Sequence, residues 1–145
     1  TPADSALIAD LFDKVWDVKS MVSPEIMTAS LHNGGYGSVI YIDSRPVGAA
    51  FALVGKALPG LNGPNLHSHA TGVLPEFVGK GIGEMIKRHQ WDWAKENGFQ
   101  HAILETSNQL TNAISLYQKS GYEIIPNYGQ YIDVESSVCM KKILK

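Results

Sequence analysis

The chain of 145 residues has the length of one ordinary domain, and its 44% hydrophobic and 18% charged content excludes a disordered or low-complexity polymer. Twelve Lys plus Arg against fourteen Asp plus Glu leave a net charge of −2, which offers no broad basic surface to nucleic acid or to an anionic membrane. Cys139 is the only cysteine, so an intrachain disulfide and a cysteine-based zinc framework are ruled out, and a reducing, cytoplasmic setting is expected. No apolar run reaches the ~18 residues of a membrane helix.

The first helix is marked by Leu7, Ile8, Leu11, Phe12 and Val15 at helical spacing, with Asp4 capping its first turn. Ser23-Pro24-Glu25 starts a second helix, carried by Ile26, Met27 and Leu31 and stopped at Asn33-Gly34-Gly35. Residues 39–42 and 47–54 read as an antiparallel hairpin turning at Asp43-Ser44-Arg45-Pro46. Residues 56–65, with two Pro and two Gly, are a loop. Residues 66–74 form a strand, 79–83 a glycine-rich turn, and a helix follows from Ile82 with the stripe Ile82, Met85, Ile86, His89 and Trp93, closing at Asn97-Gly98. A short strand at 101–105 precedes a helix marked by Ala113, Leu116 and Tyr117, and strands at 122–125 and 136–143 flank a loop rich in Tyr, Asn and Gly. With neither repeat nor linker, residues 1–145 form a single α/β domain, a mixed central sheet flanked by helices.

The chemistry is concentrated between Val73 and Gly83, where a strand ends and a helix begins after Gly79, Gly81 and Gly83. Glycine lets main-chain N–H groups approach a ligand with no Cβ in the way. Those groups are the unsatisfied donors of a helix N-terminus, so the turn is built to hold an anion, with Lys80 adding charge. The same pattern also serves as a tight strand-to-helix turn. No Walker loop fits. A dinucleotide fingerprint fits in part: its third glycine falls on Glu84, and Glu105 lies where its ribose-binding acid belongs.

His67 and His69 alternate along a strand and so share one face. An imidazole with a pKa of ~6.5 suits a base that strips a proton from an ammonium. The pair equally reads as hydrogen-bonded strand histidines, and a metal lacks a third ligand nearby in sequence. Glu105 is a second candidate base or a surface acid. Trp16, Trp91 and Trp93 read as packing residues. Tyr128, Tyr131 and the 56–65 loop border a substrate pocket or are plain loop surface.

At the glycine turn the chain resembles the GNAT superfamily of acetyl-coenzyme A-dependent N-acetyltransferases. The resemblance rests on Val78-Gly79-Lys80-Gly81-Ile82-Gly83, preceded by Val73-x-Pro75-Glu76, and on the helix from Ala113 to Tyr122 with Tyr117 at its centre. The order of elements fits from residue 4 to 143. Val78 departs from the family's Gln or Arg, Leu110 stands where a cofactor-contacting Asn is common, and Asn108 or Asn112 is its substitute. The family's first strand is expected upstream of Thr1, or absent.

The resemblance implies a direct transfer of acetyl from acetyl-coenzyme A to a primary amine of a small molecule or peptide. Val73 and Leu74 are then cofactor contacts, with the Val73 N–H polarising the thioester oxygen. The amides of Gly79, Lys80, Gly81, Ile82, Gly83 and Glu84 hold the pyrophosphate, and Asn112 joins the cofactor set. Tyr117 is the acid, and His67, His69 or Glu105 the base. The resemblance implies no metal, nucleic-acid or membrane partner and leaves a homodimer open. A non-catalytic acyl-coenzyme A binder and a nucleotide-binding domain are the alternatives.

Overall fold

The computed structural model describes residues 1–144. Helix α1 (Pro2–Trp16) and α2 (Pro24–His32) lead into β1 (Tyr36–Ile42), β2 (Arg45–Gly55) and β3 (Asn65–Val73). There follow α3 (Ile82–Glu96), β4 (His101–Ser107), α4 (Thr111–Lys119), β5 (Tyr122–Ile125) and β6 (Ser137–Ile143). The strands form one six-stranded sheet in the order β1-β2-β3-β4-β6-β5. No helix among the described residues is long and apolar enough to cross a membrane.

Local chemistry sets most boundaries. Thr1, not Asp4, is the N-cap of α1; Asp4 answers it from the third helical position, completing a capping box. Ser23 caps α2, with Pro24 at the first helical position as expected. The hairpin turn is tighter than the four residues expected: Asp43 and Ser44 both take positive φ, 48° and 65°, and β2 already begins at Arg45. Two such residues twist with the strands, which is why two-residue loops prefer this geometry.

The sheet is covered on both faces. Ile8, Leu11 and Phe12 of α1 and Met27 of α2 bury Ala49, Phe51, Ala70 and Leu74 on one side. On the other, Ile82, Ile86 and Ala94 of α3 cover Val47, Ala50, Leu66, Ala102, Leu104 and Met140. The α3 stripe differs from expectation. Met85 is 58% exposed and His89 is exposed, whereas Lys87 and Gln90 are buried. The inward face steps by four through Ile82, Ile86, Gln90 and Ala94, and its polar members are invisible to a hydrophobic pattern.

Two features of β3 position everything that follows. Its register against β2 shifts between Phe51↔Ala70 and Ala52↔Ser68, leaving His69 as the extra residue of a bulge. Its parallel pairing with β4 covers only Leu66↔Ala102 and His67↔Ile103. Beyond that point both strands run on, but apart.

Candidate active site

The divergence of β3 and β4 opens a cleft whose walls are bare strand edges. Leu74 N–H donates to the Val47 carbonyl at 2.8 Å, so Val47 and Leu74 are a hydrogen-bonded pair of the β2–β3 ladder. In an antiparallel ladder such pairs alternate with pairs that point their main-chain groups outward. Gly48↔Val73 and Ala50↔Thr71 are therefore outward pairs, and the N–H and C=O of Thr71 and Val73 face the cleft. On the far wall, Asn108 N–H donates to Ser136 O, in register with the β4–β6 ladder. The same alternation turns the main-chain groups of Glu105 and the N–H of Ser107 toward the cleft, while the Ser107 carbonyl accepts from Leu110 N–H at 3.0 Å. The Thr71 Oγ1 is buried without a hydrogen-bond partner.

At the end of β3, a 3₁₀ turn (Pro75–Phe77) leads to the glycine segment. Gly79 and Gly81 adopt φ of +82° and +76°, and a Cβ at either would meet nothing within 4 Å, so space lies open over the turn. Gly81 is the N-cap of α3 and provides no side-chain cap. No acceptor among the described residues meets the main-chain N–H groups of residues 79–84. Lys80 is exposed and lies over the Phe77 ring at 5.3 Å. The Ile82 side chain is buried, leaving only its amide for a ligand, and Glu84 is held by Arg88 at 2.8 Å. This cradle and the orphaned Thr71 hydroxyl beside bare strand edges suit a ligand with an anionic head and an extended amide-bearing arm.

The structure brings His67, His69 and Glu105 together on the sheet face opposite α3. His67 Nε2 lies 2.5 Å from Glu105 Oε2, and Tyr128 donates its hydroxyl to Glu105 Oε1 at 3.0 Å. Both carboxylate oxygens are thus engaged. A neutral His67 donates from Nε2 to Glu105, which leaves Nδ1 as the proton acceptor. His69 packs edge-on against His67, ring centroids 6.4 Å apart, and its basicity falls through burial and the neighbouring His67, partly restored by Glu105. Burial and the adjacent Glu105 push the Tyr128 hydroxyl well above its ordinary range, so it remains a donor.

Tyr117 lies on the other face, 5.7 Å from the Tyr122 ring. With Gly83, Lys87 and Leu116 it lines a small cavity of about 30 Å³. Its hydroxyl makes no hydrogen bond among the described residues, and burial raises its pKa, so it carries its proton at neutral pH. Of the remaining expected cofactor contacts, Asn112 is exposed in the first turn of α4 and its side chain makes no hydrogen bond among the described residues. Asn108 is tied to the Glu135 carbonyl. Leu74 has another job: its N–H serves Val47, its carbonyl accepts from Phe77 and its side chain is buried under α1.

Sequence reasoning missed Lys87 and the bond from Tyr128 to Glu105. Lys87 Nζ donates to Ser68 Oγ at 2.7 Å and Gln90 Oε1 at 2.8 Å, beside the point where the strands part. The signal was its place three residues before Gln90, one turn behind Gly83. The dinucleotide alternative fails on topology, since β3–β4 is the only parallel junction among the described residues and a doubly wound fold needs a parallel sheet.

Comparison with known proteins agrees with this geometry. A profile described as the acetyltransferase (GNAT) family matches residues 6–122. Streptothricin acetyltransferase from Streptomyces lavendulae is 42% identical over 50 residues, 34% of this chain and 26% of that protein. The chain spans only 23% to 31% of the length of the curated relatives it matches. The ribosomal-protein-S18-alanine N-acetyltransferase from Escherichia coli shares the fold at TM-score 0.75 and 14% identity, over 99% of this chain and 89% of that one. The PaiA N-acetyltransferase of Thermoplasma acidophilum, solved in complex with coenzyme A, aligns at TM-score 0.68 and 15% identity, over 99% and 94%.

Proposed function

The chain belongs to the acetyltransferase (GNAT) family, and we infer that it transfers an acetyl group from acetyl-coenzyme A to a primary amine of a small molecule or peptide by direct attack. The observation that carries this reading is the cleft itself. Bare main-chain edges run from an anion cradle to the face where His67, Glu105 and Tyr128 are joined. Acetyl-coenzyme A, when bound, supplies an acetyl group activated as a thioester.

The amides of residues 79–84 bind the pyrophosphate at the positive end of α3, with Lys80 adding charge from the surface. The outward main-chain groups of Thr71, Val73, Glu105 and Ser107 hold the extended arm, and the Val73 N–H is the donor for the thioester oxygen. Asn112, exposed in the first turn of α4, is within the same proposal. His67 takes the proton from the acceptor ammonium while Glu105 fixes the ring. Tyr117 holds the proton that the departing sulfur requires. His69 shapes the face beside His67. The lone buried Cys139 suits a reducing, cytoplasmic compartment.

Thiol release from acetyl-coenzyme A, measured across a panel of primary amines, tests the reading. Amine-dependent release above the hydrolytic background is expected. Calorimetric binding of coenzyme A with no amine-dependent release from any acceptor would instead make this a non-catalytic acyl-coenzyme A module.

A further inference from the structure

Beside Glu105 the sheet carries a second, apolar cavity that the transfer reading leaves unassigned. The pairing of β4, β6 and β5 puts Glu105, Cys139 and Ile125 in one row across the sheet, with Ile103, Lys141 and Glu123 in the neighbouring row. Helices α1 and α2 pack over β1, β2 and β3. Over β5 and β6 the same face is roofed by two loops, and the space beneath them is a cavity of about 350 Å³. Leu58, Pro59, Leu61, Ile125, Tyr128 and Lys141 line it.

Both loops are built to hold that shape. Leu58-Pro59-Gly60-Leu61 closes with Leu61 N–H donating to Leu58 O at 3.0 Å, and Gly60 takes φ +78°. Pro followed by a positive-φ Gly is the signature of a type II turn, which delivers Leu58 and Leu61 together to the cavity. The opposite loop is pinned by Asn127, whose Nδ2 reaches the carbonyls of Tyr131, Val134 and Ser137. Lys141 turns its ammonium to Glu123 at 3.1 Å, so it brings little free charge. Tyr128 joins the two sites: its ring lines the cavity and its hydroxyl holds Glu105.

We propose that the acceptor is a primary amine on an uncharged apolar arm, the arm lying in the cavity between Leu58, Leu61 and Ile125 and the amine reaching the His67–Glu105 pair. The proposal rests on the acetyl-transfer reading and narrows it. The volume lies within the range of small-molecule sites, and such sites are apolar with a few polar groups that fix orientation. A polyamine needs a carboxylate for each ammonium, and the cavity lining contains none.

A homologous series of n-alkylamines, from propylamine to hexylamine, reads this directly. At saturating acetyl-coenzyme A, kcat/KM is expected to rise by about fourfold per added methylene while the arm is being buried. Phenethylamine should exceed spermidine by at least roughly tenfold, the worth of two or more buried methylenes. Leu61→Asp should flatten the series, lowering kcat/KM most for hexylamine and least for propylamine, and Leu58→Asn, on the same surface turn, repeats the test should the first variant fold poorly. A flat series in the parent, a preference for spermidine, or variants that slow every amine alike would each overturn the pocket while leaving acetyl transfer standing. Absence of thiol release with every amine would overturn both.

Discussion

Burial pushes the Lys87 ammonium down to about 7, because its partners Ser68 and Gln90 are neutral and no carboxylate among the described residues pairs with it. The unfolded chain keeps that proton up to ~10.4. Unfolding therefore takes up a proton between these values, so this group's penalty is full below pH 7 and is relieved as the pH rises toward 10. The gap corresponds to about 5 kcal/mol against the charged form. Lys87→Met should be about 1–4 kcal/mol more stable than the parent at pH 6, with the advantage shrinking by pH 9.5. Urea midpoints at the two pH values decide it; an equal difference at both would mean that the ammonium is solvated. Tyr117→Phe belongs at the same scale. It should keep coenzyme A affinity and lower the chemical step by ~10²–10⁴-fold, less whatever water restores. Single-turnover rates equal to the parent's would reduce Tyr117 to packing against Tyr122. The base is separable too. His67→Gln should lower the single-turnover rate, whereas His69→Gln should largely spare it. An acid limb of kcat/KM lying below the ordinary imidazole value of ~6.5 would instead assign the base to His69, since burial and His67 lower its basicity.

At the scale of an element, the start of α3 offers a cleaner variant than the glycine pattern suggested. Gly79 and Gly81 hold positive φ, so any side chain there strains the backbone whatever the space. Gly83 is helical, and a Cβ on it would meet only Val73 Cγ2 at 3.9 Å. Gly83→Val should thus fold normally, since Val is no worse than Gly inside a helix. It should weaken coenzyme A by roughly tenfold to a hundredfold, the worth of one or two hydrogen bonds to a charged group. Calorimetry on the folded variant checks this, and unchanged affinity would remove the phosphate cradle from the proposal. The turn was legible in sequence because it depends on glycine, which leaves a local mark. The caps of α2, the hairpin and the Tyr117 helix were legible for the same reason. The α3 face, the His69 bulge and the job of Leu74 were not. Each is decided by what lies across the sheet: Ser68 beneath Lys87, the register of β2, and the Val47 carbonyl. His67 and Glu105 were named separately, but only the parallel junction of β3 with β4 makes them a pair.

At the scale of the whole molecule, the sheet is two halves hinged on a short seam. Strands β1, β2 and β3 lie on one side and β4, β6 and β5 on the other, joined by Leu66↔Ala102 and His67↔Ile103 and by the apolar cluster beneath α3. A ladder this short leaves the cleft-facing amides of Thr71, Val73, Glu105 and Ser107 without partners in the sheet. An extended ligand arm between the strands would close the ladder as an added strand does, through main-chain hydrogen bonds. Coenzyme A should then act on global stability as well as locally. At ~100 times its Kd, a ligand bound only by the folded state adds about 2.7 kcal/mol. Hydrogen exchange locates where that stabilisation enters. With coenzyme A present, protection should rise at residues 79–84 and, separately, at Thr71, Val73, Glu105 and Ser107, while Leu74, already bonded to Val47, changes least. Protection confined to residues 79–84 would leave the pyrophosphate cradle intact and show that the arm does not lie between β3 and β4. The assignments of Val73 and Tyr117 would then fall together, because both depend on the arm reaching the end of that cleft.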